Sequence, residues 1–463
     1  MMQLMKLAPL VLVAGCAAVG PNYKAPDVAV TRQFVGGDSG PLAQVAYRPW
    51  WRDYKDPMLN ELVETGMKQS LSILQAQERI RQARAQLRQT GINSALSGSA
   101  EVDKTRAGTD GGTASWSTTS SLGASFVIDL FGGVRREQEA AKANLAASQA
   151  NVGTERLAWL AELVADYADA RYYQQALELT RKTIETRKGT LDITQQELNA
   201  GAATDYEVAE AQAALQSAQA DLPSYLAQFR AQVFAIATLL NVPAGPLMQK
   251  MEKGAPQLSI PGTIATGVPA DLLRNRPDVR YYEAVLHQQV ADVGVAQADL
   301  YPSLTLSGTV SGTSSTTSWS FGPSITQAIF NQGSLRAARD AQVSAAKQAE
   351  IDYRSTISGA VEDVQVAQSN LKQYRAQAAQ LQQAADSYSR ALGLAQTTYR
   401  NGAMTLLDLL DTDRSEASAR ISAASARNQA AQQWATLQIA IGAGAGYAES
   451  PEEQPLPPKA PAK

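Results

Sequence analysis

Residues 198–210 read Leu-Asn-Ala-Gly-Ala-Ala-Thr-Asp-Tyr-Glu-Val-Ala-Glu, and residues 399–411 read Tyr-Arg-Asn-Gly-Ala-Met-Thr-Leu-Leu-Asp-Leu-Leu-Asp. Each segment ends a long run at a glycine, Gly201 or Gly402, and restarts it at a threonine, Thr204 or Thr405. The same order of parts recurring about 200 residues apart marks an internal duplication. Working outward, Phe131-Gly-Gly-Val-Arg-Arg answers Phe330-Asn-Gln-Gly-Ser-Leu-Arg, and Leu96-Ser-Gly-Ser-Ala-Glu-Val answers Leu304-Thr-Leu-Ser-Gly-Thr-Val. The chain is therefore two structural repeats, 57–241 and 269–444, joined by a proline-rich linker at 242–268.

Within each repeat the hydrophobic period changes twice. A helical stretch, about Asp56 to Asn93 in the first repeat and Pro269 to Leu300 in the second, gives way to alternation. Leu122, Ala124, Phe126, Ile128 and Leu130 alternate with small or polar residues, as do Leu304, Leu306, Gly308 and Val310, so each half contributes a β-hairpin, at 96–130 and 303–330. Val134 to Leu198 then contains no proline, and Leu177, Ile184, Leu191 and Leu198 recur at heptad spacing, as do Ala378, Ala385, Leu392 and Tyr399. Long helices over 134–199 and 334–400 follow, each a rod of roughly 100 Å at ~1.5 Å per residue, with return helices over 204–240 and 405–441. The fold class is α+β, a duplicated hairpin plus long-helix unit.

Composition fits this reading. Of 463 residues, 44% are hydrophobic, but about 80 of them are alanine, too few large side chains for a solid core of this length. Alanine seams with polar remaining faces suit the wall of a hollow tube, watered on both sides, although a solvated coiled coil has a similar composition. A net charge of -3 gives no electrostatic footprint for nucleic acid. One cysteine and one histidine exclude a disulfide framework and nearly all metal sites. No run approaches the ~18 apolar residues of a spanning helix. His287 reads as an ordinary helix residue, and no Ser-His-Asp, Cys-His or phosphate-loop set accompanies the carboxylates, so an enzyme is not expected and no cofactor is implied.

The cysteine lies where it carries most information. Residues 1–15 combine Lys6 with a short apolar stretch from Leu7, and Leu12-Val-Ala-Gly-Cys16 resembles a bacterial lipobox. The expectation is a signal peptide at 1–15, a covalent N-terminal lipid on Cys16 and a lipidated leader at 16–56. Residues 445–463 hold five prolines and read as a disordered tail.

Four strands per chain cannot close a barrel, and lipid does not tolerate an open sheet edge. Three chains would supply twelve strands, an even number within the range of known outer-membrane barrels. Trp116 and Trp319, near the start of the second strand of each hairpin, suit membrane-interface aromatics. Soluble hairpins with packed tryptophans remain open on these residues alone, while the Ser, Thr and Gly of the alternate face favour a wet lumen.

Pro21-Asn-Tyr-Lys-Ala-Pro, Ile128-Asp-Leu-Phe-Gly-Gly, Val268-Pro-Ala-Asp-Leu-Leu-Arg-Asn-Arg-Pro-Asp-Val and Tyr399-Arg-Asn-Gly-Ala-Met-Thr-Leu-Leu-Asp-Leu-Leu-Asp occur in that order. Together they resemble the TolC-type outer membrane factor family, in its lipoprotein (NodT/OprM-like) branch, from Cys16 to about Gly444. The resemblance implies a homotrimer, with a twelve-stranded barrel in the outer membrane continuous with a helical barrel through the periplasm. It also implies docking to a periplasmic adaptor and an RND-type inner-membrane pump, and hence a passive exit duct for small toxic compounds. Protein export by a type I system, or a non-conducting coiled-coil stalk, are the alternatives.

The sharpest polar constellation is acidic. Asp408 and Asp411 follow the Gly402 break three residues apart, and one repeat earlier stand Glu207 and Glu210. In a trimer these would make a cation-attracting ring at the tube's end. Charges favourable to a helix N-terminus are the plainer alternative. By resemblance, Asp408 and Asp411 would ring a periplasmic aperture and Tyr399 would hold neighbouring helices closed. Met404 stands where related proteins carry an arginine, so an ionic lock at that position is absent or replaced.

Overall fold

The computed structural model describes residues 18–28, 33–35, 45–262, 267, 269–447 and 453. The signal peptide and Cys16 lie outside the described residues. Helix α1 (Pro57–Gln69) starts where Asp56 accepts hydrogen bonds from the Met58 and Leu59 amides at 2.9 and 3.1 Å, with Pro57 in the first turn. The single helix expected to Asn93 is broken at Ser70, whose ψ of 124° is not helical, and α2 (Leu71–Gln89) begins there. One helical turn, α3 (Ile92–Ala95), leads into β1 (Leu96–Ala107) and β2 (Ser115–Ile128). Gly132, at φ +86°, turns the chain into α4 (Gly133–Asn199), a 67-residue rod. After Gly201 the chain returns along it as the 35-residue α5 (Asp205–Leu239), followed by the short α6 (Ala244–Met251).

The second repeat runs α7 (Pro269–Asn275), α8 (Pro277–Ala298), β3 (Ser303–Gly312), β4 (Thr317–Thr326), α9 (Gln332–Arg400) and α10 (Leu406–Ala440). Pro277 splits what periodicity reads as one helix, because a residue before proline avoids the helical region and Arg276 sits at ψ 120°.

All four strands form one antiparallel sheet in the order β1-β2-β3-β4, so the two hairpins pair with each other through β2 and β3. The register sorts the side chains by chemistry. Leu96 faces Phe126, which faces Leu306, and Leu122 faces Val310, which faces Trp319. On the other face Ser99, Gly123 and Thr309 align, as do Ser97, Ser125 and Ser307. Next to the rods one face is therefore apolar and the other is lined by Ser, Thr and Gly; toward the hairpin tip Lys104 and Arg106 join the first face and Glu101 and Asp103 the second, while the outer edges of β1 and β4 have no partner among the described residues.

Large side chains are concentrated where the repeats meet. Trp50, Trp51 and Trp434 are fully buried, the Tyr54 hydroxyl donates to the Ala431 carbonyl at 2.6 Å, and Trp50 Nε1 donates to the Ala443 carbonyl at 3.1 Å. Along α9, by contrast, the buried face is Ala349, Tyr353, Ile357, Ala360, Val364 and Ala367, continuing through Ala378 and Ala385. The spacing of three and four makes a narrow seam, and the remaining faces are solvated.

Of the tail expected at 445–463, residues 445–447 and 453 are among the described residues. Residues 445–447 form turns, and Glu453 is buried, its Oε2 2.7 Å from Nη2 of the equally buried Arg156. Glu453 also accepts a hydrogen bond from Gln77 Nε2 at 2.9 Å. Replacing Glu453 by alanine leaves the Arg156 guanidinium buried without its carboxylate, and a loss of about 3 kcal/mol is expected in chemical denaturation of the full chain. A change below about 0.5 kcal/mol would show that the pair is solvated in solution.

Candidate functional site at the tip of the rods

Each rod ends at a glycine with positive φ, Gly201 at +74° and Gly402 at +71°. Each return helix starts on a threonine whose hydroxyl accepts from the third helical amide: Glu207 N–H to Thr204 Oγ1 at 3.3 Å, and Asp408 N–H to Thr405 Oγ1 at 3.2 Å. The carboxylates reach back. Glu207 Oε2 accepts from the Thr204 amide and hydroxyl at 2.7 and 2.8 Å, and Asp408 Oδ2 accepts from the Thr405 hydroxyl at 2.6 Å. The hydrogen bond from the Thr204 amide holds the Glu207 carboxyl below its ordinary pKa. One turn on, Glu210 accepts from the Tyr206 hydroxyl at 2.7 Å and Asp411 pairs with Arg414. All four acids thus have a local partner on their own strand of the tip, and two of them close a helix cap.

Tyr399 is placed differently. It is 8% exposed, and its hydroxyl donates to Glu197 Oε2 at 2.7 Å and lies 3.3 Å from Thr194 Oγ1 on α4. Burial, together with the Glu197 carboxylate, pushes its pKa up to about 12, so it remains a neutral donor. Leu392, Ala395, Leu406 and Leu409 surround it, with Ala211 of α5, and Met404 packs against this apolar cluster. The arginine expected by resemblance has no counterpart at Met404, where the contact is hydrophobic.

The ionic link at the tip joins α4 to α10 and comes from residues that sequence reasoning missed. Arg187 of α4 donates from Nε to Asp413 Oδ2 of α10 at 2.6 Å and from Nη1 to the Ala214 carbonyl of α5 at 2.8 Å. Asp413 is 4% exposed, and burial raises its pKa although Arg187 works against the shift. One helix therefore grips three others: α4 holds α9 through Tyr399, α10 through Asp413 and α5 through Ala214. A signal was available. Leu406, Leu409, Asp413 and Glu416 are buried at spacings of three and four, so two acids occupy the apolar seam of α10, where a charge needs a partner. Glu416 accepts from Ser389 Oγ at 3.0 Å and pairs with Arg420.

Trp116 and Trp319 lie at the opposite end of the molecule, 62% and 78% exposed on the apolar face of the sheet near the hairpin tips. Lys104 and Arg106 of β1 approach the Trp116 ring at 5.2 and 5.8 Å from its centroid. His287 is stacked on Tyr23 with ring centroids 4.3 Å apart and lies 3.0 Å from Glu139, remote from the tip.

An amphipathic sheet with two open edges, continuous with paired rods closed by side-chain links at their far end, is the subunit of a membrane channel. The chain belongs to the outer membrane efflux protein family, which it matches over residues 62–242 and 268–443. It is 35% identical over 447 residues to nodulation protein T of Rhizobium leguminosarum bv. trifolii, covering 94% of this chain and 95% of that one. With the pyoverdine export outer membrane protein OpmQ of Pseudomonas aeruginosa it shares 30% identity over 416 residues, covering 86% of this chain and 87% of that one. Among solved structures, the outer-membrane channel OprN superposes with a TM-score of 0.83 at 28% identity, covering 93% of this chain and 100% of that one. The open state of the MtrE outer membrane channel of Neisseria gonorrhoeae gives a TM-score of 0.80 at 29% identity, covering 92% of this chain and 98% of that one.

Arg187→Ala strands a buried carboxylate and should destabilise the folded chain by about 3 kcal/mol, whereas Arg187→Met combined with Asp413→Leu should recover most of that loss. Thermal unfolding of the three proteins tests this. Equal losses in the single and double variants would mean that packing, not the charge, is responsible.

Proposed function

We propose that this chain is the outer-membrane exit duct of a tripartite efflux assembly, passively conducting small toxic compounds from an inner-membrane pump to the exterior. The sheet carries the reading: its apolar face suits lipid, its Ser/Thr/Gly face suits a water-filled lumen, and its two free edges require further copies. Three copies close a twelve-stranded barrel, with Trp116 and Trp319 at a membrane interface. The rods then line a tube across the periplasm, and Cys16, lipidated, ties each protomer to the outer membrane. A periplasmic adaptor and an RND-type pump dock at the tip. OpmQ is named for pyoverdine export, which supports a small-molecule cargo over protein secretion.

In this reading the tip is a gate. The Tyr399–Glu197 hydrogen bond and the Arg187–Asp413 pair hold α9 and α10 against α4, and docking opens the tube by breaking them. Asp408 and Asp411, with Glu207 and Glu210 one repeat earlier, surround the mouth with carboxylates, whose field draws cations and repels anions. The capping bonds do not remove this charge, since a carboxylate that accepts hydrogen bonds remains an anion.

Replacing Asp408 and Asp411 together by alanine should lower the cation-over-anion permeability ratio and weaken divalent-ion block in planar bilayers. Unchanged selectivity removes these residues from the constriction. Cys16→Ser should abolish lipid labelling and reduce the amount reaching the outer membrane, while the trimers that do insert conduct normally.

A further inference from the structure

The leader after the lipobox has its own built seat. The Val19 amide donates to the Phe131 carbonyl at 2.9 Å, beside the end of β2. Arg136, 3% exposed in the first turn of α4, collects the leader: Nε donates to the Val19 carbonyl at 3.1 Å, and Nη2 to the Gly20 carbonyl at 3.4 Å and to Asn22 Oδ1 at 2.7 Å. Its Nη1 donates to Glu139 Oε2 at 2.7 Å, and the other oxygen of Glu139 lies 3.0 Å from His287 Nε2. The His287 ring in turn stacks under Tyr23, whose hydroxyl donates to Glu283 at 3.3 Å.

Three glycines allow the leader to lie this close. A Cβ on Gly132 would collide with Ala18, one on Gly20 would lie 2.6 Å from Gly294 Cα, and one on Gly294 would lie 2.7 Å from Arg136 Cδ. The seat is also at a particular height. Phe131, which follows β2, stacks on Tyr301, which precedes β3, at 4.7 Å between centroids, so Ala18 sits where β2 passes into α4 and α8 passes into β3. At 3.3–3.6 Å per residue, a group on residue 16 can reach no more than about 7 Å from Ala18 along the chain.

We propose that Arg136 is the positioning residue of the membrane anchor: by fixing residues 19–22 at the strand-to-helix junction, it makes the lipid on Cys16 enter the bilayer beside the hairpins that must insert. The motif Pro21-Asn-Tyr23 thereby acquires a role, as does the only histidine of the chain, which braces it. An unseated leader would still anchor the protein, but on a slack tether that no longer sets the height of the sheet. The inference rests on the lipidation reading and adds a dependence on Arg136 that lipidation alone does not carry.

A double-mutant cycle on the full-length protein tests it. The variants are Arg136→Ala, Cys16→Ser and the two combined, with Asn22→Ala as a milder variant that leaves α4 intact. The readouts are acyl mass on Cys16, hydrogen exchange of the 18–28 peptide, and the fraction of chain recovered as outer-membrane trimer. Arg136→Ala should retain the acyl mass, speed leader exchange by about tenfold, and reduce inserted trimer to the Cys16→Ser level. Adding Cys16→Ser should cost nothing further, and Asn22→Ala should move both readouts part of the way. Additive losses, or a leader exchanging as in the wild type, overturn the proposal while leaving lipidation standing. A wild-type protein without acyl mass on Cys16 overturns the lipidation reading and this proposal with it.

Discussion

The outer edges of β1 and β4, unpaired among the described residues, constrain everything else in this chain. In a hydrocarbon medium each unmet backbone N–H or C=O costs several kcal/mol, so a four-stranded sheet with a lipid-compatible face cannot persist alone. The edges must be met by other copies, and the chain below the sheet must follow the same symmetry. Helices that continue such a barrel surround a lumen rather than filling it. That is why α9 buries only a seam, and why alanine at Ala349, Ala360 and Ala367 does the work that leucine does in a solid bundle. The large side chains are then free to gather where the repeats are tied together, around Trp50, Trp51 and Trp434.

Local features were legible in the sequence, and long-range pairings were not. The Gly201 and Gly402 breaks, the heptads ending at Leu198 and Tyr399, and the alternation of Leu122 to Ile128 each report on neighbours a few residues apart. The pairing of β2 with β3 joins residues of different repeats, and periodicity holds no information about which hairpin lies beside which. The same holds for Arg187 and Asp413, and for Arg156 and Glu453, whose partners are far away along the chain. Of the predicted tip residues, Tyr399 is held by inter-helix bonds, while the four acids are held within their own turns.

Duplication explains the framework and divergence explains the lock. The repeats share their hairpin, rod and return helix, yet Tyr399 corresponds to Leu198 and Asp413 to Gln212. Both side-chain to side-chain links at Tyr399 and Asp413 therefore start from the second repeat and are received by α4 of the first. A tip with two identical sets of links would hold every seam alike. With the side-chain links confined to α9 and α10, that pair can separate from α4 while Arg187 keeps its hydrogen bond to the Ala214 carbonyl of α5, which is the asymmetry a gate needs.

The acids at the tip of the rods show how one residue can meet two demands. A chain that doubles back at Gly402 must cap a new helix, and the available solution is a threonine with an acid three residues on. Capping satisfies the exposed amides and places the anion at the positive end of the helix dipole, whatever the channel conducts. In the channel proposed above, repeating that cap in both halves and in every copy would gather like charges around a single opening. The selectivity of the mouth would then originate as a folding requirement, so its charge can be varied most freely at Asp411 and Glu210. Neither of these closes the cap, and each is held only by a side chain three or four residues away on its own helix.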